Sequence, residues 1–536
     1  MLLILSARTV GEDIALEYGR LPPAFLPLGG RRLFSWQAEL AEGETCVMTV
    51  PDDYVIAPVD ISALEAAGIL LLQQPQSFSL QQAINDALGR IRPQGAVRIL
   101  YGDTLVARSD GSLPVDAIAV QDTSANYPWA FVKYDAKDRP IFSDTPPNRL
   151  EHRKVVCGYY NFGDKNLLAA ACLQPTFVQA LQYYADRSSL SCIEIGNWLD
   201  FGHLPLYFRS KRDTLVKRVF NELTYEDHIL VKRSADTAKM RAEAHWFEHL
   251  PAPLRLHVPR YVGRIERDHQ AGYGLEYLYA PLLSELSVFG ALPLASWLEI
   301  LRACFAFVDK CQAEHPPTGS PEAGAAFAQQ FYHEVIVQKS CNRLEAFCAQ
   351  SELSIDSRLT LNGIQHPPLA ELTETLIACV PPTTPDQVRF WHGDLFFGNI
   401  FYDFTAQRIM CIDPRGQLGG GQLCLWGDLR YDLAKLAHSI IGHYDDILHG
   451  RSTLDVDPDD PMVWTFSVDT QPHAAEVTDI FFAYLGDADD IDVREILALT
   501  ALLFLSMLPL HYESPERQRH LLAMGLTMAD QVRNTT

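Results

Sequence analysis

A chain of 536 residues is too long for one ordinary hydrophobic core, so two or three domains are expected. Hydrophobic residues make up 48% of it and charged residues 21%, the profile of a soluble globular protein. The formal net charge is -23 with no run rich in Lys and Arg, which argues against duplex nucleic acid as a partner, although a few local cations and a metal ion suffice for a nucleotide.

The N-terminal MLLILSARTV is apolar but short and soon meets Glu12 and Asp13, so it reads as a buried strand rather than a signal peptide. Further apolar runs at Cys46–Val50, Ile69–Leu72 and Val97–Leu100 read as strands, with Leu80–Ile91 as an intervening helix. This βαβ rhythm predicts an α/β fold, a doubly wound, mostly parallel sheet with ligands at the carboxyl ends of its strands. Residues 111–215 are more mixed, with strands at Trp129–Tyr134 and Val155–Asn161 and a helix around Thr176–Tyr184.

A second style begins near residue 216. Tyr225–Lys232 reads as one strand, 237–250 as a helix and Tyr273–Leu278 as a strand, and the chain is largely helical from Ala291. That order predicts a bilobal α+β domain over 216–536, with a small lobe at about 216–280 and a helical lobe at about 281–536. The first domain then covers 1–215. The polar stretch His449–Pro472 reads as a surface insertion. Ile496–Leu510 is too short for a membrane span and contains Pro509, so it reads as a buried helix. Eleven cysteines, an odd number with no CxxC pair, fit reduced thiols, and a cytoplasmic protein is expected.

The strongest chemical signal is Trp391-His392-Gly393-Asp394-Leu395-Phe396-Phe397-Gly398-Asn399-Ile400, followed by Ile412-Asp413-Pro414-Arg415-Gly416. Phosphoryl transfer needs an acceptor hydroxyl in line with the γ-phosphate and metal ions on the developing charge. Asp394 suits the hydroxyl proton, Asn399 and Asp413 suit the metal, and His392 suits bracing of the loop. The pattern resembles the aminoglycoside phosphotransferase and choline kinase family. That resemblance implies a protein-kinase-like fold, ATP as phosphoryl donor and Mg²⁺. It also assigns Lys232 to the phosphates, Glu243 to holding Lys232, and Glu276 and Leu278 to the segment that receives the base. Lys239 and Glu248 are rival members of the Lys–Glu pair. Gly427-Asp428-Leu429-Arg430-Tyr431-Asp432-Leu433-Ala434-Lys435-Leu436 completes the resemblance, and in it Asp432 is expected to cap a helix and brace the catalytic loop.

In the first domain, Leu21-Pro22-Pro23-Ala24-Phe25-Leu26-Pro27-Leu28-Gly29-Gly30-Arg31-Arg32-Leu33, Tyr101-Gly102-Asp103 and Trp198-Leu199-Asp200-Phe201-Gly202 occur in that order. They are similar to the motifs of the sugar-phosphate nucleotidyltransferases, in which two such aspartates hold Mg²⁺ while a phosphate attacks a nucleoside triphosphate. Asp103 and Asp200 are therefore the expected metal ligands, with CTP, UTP, dTTP or GTP as second nucleotide. The family's Gly-rich loop is replaced by Ser6-Ala7-Arg8-Thr9-Val10-Gly11, its motif lysine by Pro23, and an E-K-P segment has no match near Ser143–Pro146. Arg8, Arg20, Arg31 and Arg32 are the available substitutes.

The combined expectation is a kinase and nucleotidyltransferase that phosphorylates a small alcohol, sugar or choline-like compound and activates the phosphate for surface polysaccharide or lipid headgroup synthesis. The alternative is a kinase with a non-catalytic nucleotidyltransferase-like domain. Trp391, Trp426, Tyr431 and Tyr444 are the aromatic residues available for a choline cage.

Overall fold

Strand-forming apolar runs and well-capped helices build the first part of the chain. In the computed structural model, which describes residues 1–106, 113–123, 125, 127–145, 153–214, 222–226, 228–267, 270–317, 319–487 and 491–535, the strands Ile69–Gln74, Cys46–Pro51, Leu2–Leu5 and Val97–Tyr101 lie side by side and parallel. The helix Leu80–Ile91 starts at a capping box, in which the Ser79 hydroxyl and the Gln82 side chain each accept the other residue's backbone N–H. The parallel order stops at Arg153–Phe162, which runs antiparallel to Val97–Tyr101 and pairs with Ala117–Thr123 and Phe131–Tyr134. The sheet is thus mixed, with a four-stranded parallel half and a largely antiparallel half. Ile84, Ile99, Val120, Tyr160 and Tyr184 pack into its core.

The chain divides into two compact units, Met1–Thr214 and Leu215–Thr536. The Lys211–Arg218 junction lies partly outside the described residues, as does Pro146 of the segment compared with E-K-P.

The second unit opens with a four-stranded antiparallel sheet in the order Glu222–Glu226, Ile229–Ser234, Gln270–Glu276, Tyr261–Arg267, joined by the helix Thr237–Glu248. The single strand expected over Tyr225–Lys232 is instead a hairpin, turning at His228 with φ 68°. Beyond it the fold is helical. Pro321–Phe331 continues through a π-helical stretch, Tyr332–Gln338, into Lys339–Cys348. The expected insertion at His449–Pro472 also takes a different form. Its strands Ser452–Val456 and Val463–Val468 pair with each other, and the second pairs with Thr360–Leu361.

The helical run Val493–His511 is long and apolar enough to cross a membrane, yet most of it is buried. Helices Leu429–Ile440 and Pro515–Asn534 pack against its Val493–Met507 portion, which makes it a core helix.

Candidate active sites

Lys232 lies inside a strand of the small sheet and its ammonium is buried. Its Nζ is 2.7 Å from Glu243 Oε2, on the helix Thr237–Glu248, and 2.9 Å from Asp413 Oδ1. The Tyr273 hydroxyl donates to the same Glu243 oxygen at 2.6 Å. Burial lowers the tendency of Lys232 to hold its proton, but Asp413 and Glu243 outweigh it and the net shift is upward. The rivals do not form this pair: Lys239 Nζ lies 3.8 Å from Glu243 and is exposed, while Glu248 accepts from Arg264 at 2.6 and 2.8 Å.

Two glycines let the catalytic loop and the Asp413 segment close on their surroundings. Gly393 has φ 79°, and a Cβ there would sit 2.7 Å from Arg415 Cβ. Gly416 has φ 62°, and a Cβ there would fall 2.1 Å from the carbonyl oxygen of Ala242, on the helix that carries Glu243. Asp432 holds the loop from beneath, accepting the N–H groups of His392 at 2.7 Å and Gly393 at 2.8 Å. It does not cap its helix. Asp428 is the cap, accepting the Arg430 N–H at 3.0 Å. His392 is fully buried, and burial takes its imidazole down to about 4, so it is neutral.

Asp394 keeps 39% of its side chain accessible and pairs with Lys435 at 2.8 Å. Burial raises its carboxyl, but Lys435 more than reverses this and the net shift is downward. Asn399 donates through Nδ2 to the Asp394 carbonyl at 3.0 Å and to its carboxylate at 3.2 Å. That leaves its amide oxygen available beside Asp394. A carboxylate and an amide oxygen form a hard donor set, so Asp413 and Asn399 fit Mg²⁺.

The inter-lobe segment differs from expectation in one respect. Glu276 is the last strand residue, its side chain is exposed, and its N–H is committed to the Arg260 carbonyl at 2.9 Å. Leu278 lies past the strand end and is half-buried. The aromatic residues do not form an open cage: Trp391 and Tyr444 are buried, and the Tyr431 hydroxyl accepts from Lys339 and, at 3.4 Å, from Arg415. Sequence reasoning gave no role to Lys435, which lies inside the Gly427–Leu436 motif, and passed over Lys339 and Arg343, which belong to no motif.

In the first unit, Trp198–Asp200 pairs antiparallel with Thr104–Val106, which brings Asp200 beside Asp103. A Cβ on Gly202 would lie 2.6 Å from Asp103 Oδ2 and 3.3 Å from Asp200 Oδ1, so both carboxylates close on one spot. Burial and then the Asp200 charge push the Asp103 carboxyl up to about 7. Asp200 accepts from Trp129 Nε1 and from the Gly202 N–H, both at 2.8 Å, yet burial still raises its carboxyl. Neither carboxylate has a Lys or Arg ion-pair partner among the described residues, so a divalent cation fits the pair.

Asp103 also lines a cavity of about 350 Å³ together with Ser6–Gly11, Pro23, Phe78 and Gly202. Of the candidate arginines, only Arg8 lines this cavity, where its Nη2 donates to the Phe78 carbonyl at 2.7 Å. Arg20 is exposed, Arg31 lies 3.8 Å over the Trp36 ring, and Arg32 is buried in a bidentate pair with Asp60 at 2.9 and 2.7 Å. Gly29 and Gly30, at φ 59° and 78°, form the two-residue turn between Pro27–Leu28 and Arg31–Arg32.

The arrangement of Lys232, Glu243, Asp413, Asp394 and Asn399 in the second unit suits phosphoryl transfer. Residues 211–451 match the model of the phosphotransferase enzyme family. No curated protein matches the chain. Among solved structures, an aminoglycoside-3'-phosphotransferase of type VIII is 15% identical, covering 55% of this chain and 90% of its own, with a TM-score of 0.33. A thermostable mutant of aminoglycoside phosphotransferase APH(4)-Ia is 12% identical, with coverage of 60% and 92% and a TM-score of 0.34. The inositol-1-phosphate CTP transferase from T. maritima is 11% identical, with coverage of 38% and 90% and a TM-score of 0.32.

Proposed function

We propose that the chain is a bifunctional enzyme. The second unit transfers the γ-phosphoryl group of ATP to a small hydroxyl compound. The first joins the resulting phosphate to a nucleotide, with release of pyrophosphate, for surface polysaccharide or lipid headgroup synthesis. The observation that carries the kinase half is the buried Lys232–Glu243 pair meeting Asp413, with Asp394 and Asn399 in mutual contact. In this reading Lys232 grips the ATP phosphates and Asp413 and Asn399 hold Mg²⁺, which neutralises charge on the transferred group. Asp394, kept ionised by Lys435, receives the proton of the acceptor hydroxyl.

The nucleotidyltransferase half is supported by the two converging, unneutralised carboxylates Asp103 and Asp200 beside a cavity. The second reading, a kinase with a nucleotide-binding but non-catalytic first unit, is favoured by one observation: Arg8 is the only candidate cation facing that cavity, and it is engaged by the Phe78 carbonyl. Eleven cysteines, all free thiols, fit the cytoplasm, the compartment we assign.

The test is an ATP-dependent phosphorylation screen over small alcohols and sugars, followed by each triphosphate with Mg²⁺ and a pyrophosphate assay. Release lost in Asp103→Ala but retained in Asp394→Asn, when the phosphorylated compound is supplied, establishes two sites. A kinase product that yields no pyrophosphate with any triphosphate leaves the second reading.

A further inference from the structure

Four cationic side chains gather on one side of Asp394. Lys435 and Tyr431 are one turn apart on the helix Leu429–Ile440. Lys435 pairs with Asp394, and the Tyr431 hydroxyl accepts from both Lys339 and Arg415. Arg343 is one turn beyond Lys339 on Lys339–Cys348 and donates to the Ser506 carbonyl at 3.1 Å. Arg415 is seated by its own N–H on the His392 carbonyl at 2.9 Å and by its Nε on the Gln417 carbonyl at 3.1 Å.

The charges do not balance. Among the described residues no carboxylate lies within ion-pair distance of Lys339, Arg343 or Arg415, and Asp394 is already matched by Lys435. Collecting three cations around one phenol, with no carboxylate to match them, costs stability unless a further anion answers them. Burial lowers the Lys339 ammonium, and although Tyr431 opposes the shift, repulsion from Arg415, Lys435 and Arg343 carries it to about 8. Burial would raise the Tyr431 phenol, but Lys339, Arg415 and Lys435 bring it down to about 7. The phosphates of ATP have their own cation in Lys232, held on the small sheet by Glu243.

We propose that Lys339, Arg343 and Arg415 form the anion-binding half of the acceptor site, so that the compound phosphorylated is a hydroxyl compound that itself bears a carboxylate or a phosphate. The inference rests on the reading of Asp394 as the group that receives the acceptor's proton. The hydroxyl oxygen attacks the γ-phosphorus, its proton passes to Asp394, and the bond to ADP breaks while the guanidinium groups hold the acceptor's own anion. The same cluster disfavours quaternary ammonium compounds, because its cations repel them and the Tyr431 hydroxyl is already bound to Lys339 and Arg415.

The full-length enzyme is tested on matched acceptors: glycerol, D-glycerate and sn-glycerol 3-phosphate, with choline, glucose, gluconate and glucose 6-phosphate alongside, following ADP release. The carboxylate and phosphate members separate the two anion sources. The expected result is turnover of an acidic member over its neutral partner. Lys339→Met and Arg415→Gln then raise the acceptor KM by about ten- to a hundredfold, the value of one or two charge-assisted hydrogen bonds, and leave the KM for ATP unchanged. Preferred turnover of a neutral or cationic member overturns the proposal and leaves the kinase reading standing.

A binding arm covers the case in which no panel member is turned over. With Mg²⁺ and a non-hydrolysable ATP analogue bound, malonate should raise the melting temperature of the wild type and not that of Lys339→Met. Equal behaviour of the two proteins overturns the proposal. Failure of the analogue to stabilise the wild type at all removes the kinase reading instead.

Discussion

Three residues carry sharply different outcomes when changed. Asp394→Asn keeps the size of the side chain and its Asn399 contact but removes the proton acceptor. Turnover should fall by about a hundredfold or more while the KM for ATP changes little, as steady-state kinetics on a confirmed acceptor will show. Lys232→Met leaves the buried Glu243 and the neighbouring Asp413 without the cation they share, and stability should drop by about 3–5 kcal/mol in urea titration. The double variant with Glu243→Gln should recover more than about 1 kcal/mol of that loss, because the unmatched charge is gone.

Asp103→Asn has the opposite sign. The folded-state carboxyl is raised to about 7, so its charged form opposes folding fully above that pH and not at all below its ordinary range. In a chelator at pH 8 the variant should therefore be more stable than wild type by about 1–3 kcal/mol, an advantage that fades as the pH falls through about 7 toward 4. Added Mg²⁺ should raise the melting temperature of the wild type only.

At the scale of elements, the seating of the Asp413 segment on the helix Thr237–Glu248 depends on the bare Cα of Gly416. Gly416→Ala would drive a methyl into the Ala242 carbonyl and pry Asp413 from Lys232. The KM for ATP should rise at least about tenfold, with unfolding at a lower temperature, as kinetics and thermal melts will record.

What was legible in the sequence follows the strength of local signals. Leu2–Leu5, the helix Leu80–Ile91 and the buried helix after residue 493 announce themselves by unbroken apolar runs or by a cap. The hairpin at 222–234 did not, because His228 interrupts a strand-forming run without glycine or proline. The strands Ser452–Val456 and Val463–Val468 were hidden by exposed polar faces, which in sequence resemble a loop. The structure brings Asp394, Asn399, Asp413, Lys232 and Glu243 together, and a spacing rule served for those on a continuous loop–strand–loop. Of the cations around Tyr431, Arg415 sits beside the Asp413 motif and Lys435 lies within the Gly427–Leu436 motif, which offered no sign of its pairing with Asp394. Lys339 and Arg343 join them through the packing of a distant helix, which no local pattern encodes.

For the whole molecule, two units with separate cores predict separate fragments. Residues 1–214 and 215–536 expressed alone should each give a cooperative thermal transition, and the second should retain stabilisation by Mg²⁺ and a non-hydrolysable ATP analogue in a thermal melt. An unstructured second fragment in circular dichroism would contradict that independence.

The unpaired cations beside Asp394 have a consequence for the history of the chain. Each burdens the fold in the absence of an anion, so neutral replacements at Lys339, Arg343 and Arg415 should raise the melting temperature. Random drift, or selection for robustness alone, would erase them early and spare the motif carboxylates for longer. A descendant that kept Asp394 and Asp413 but carried neutral residues at those three positions would mark a lineage that had changed its acceptor while keeping ATP.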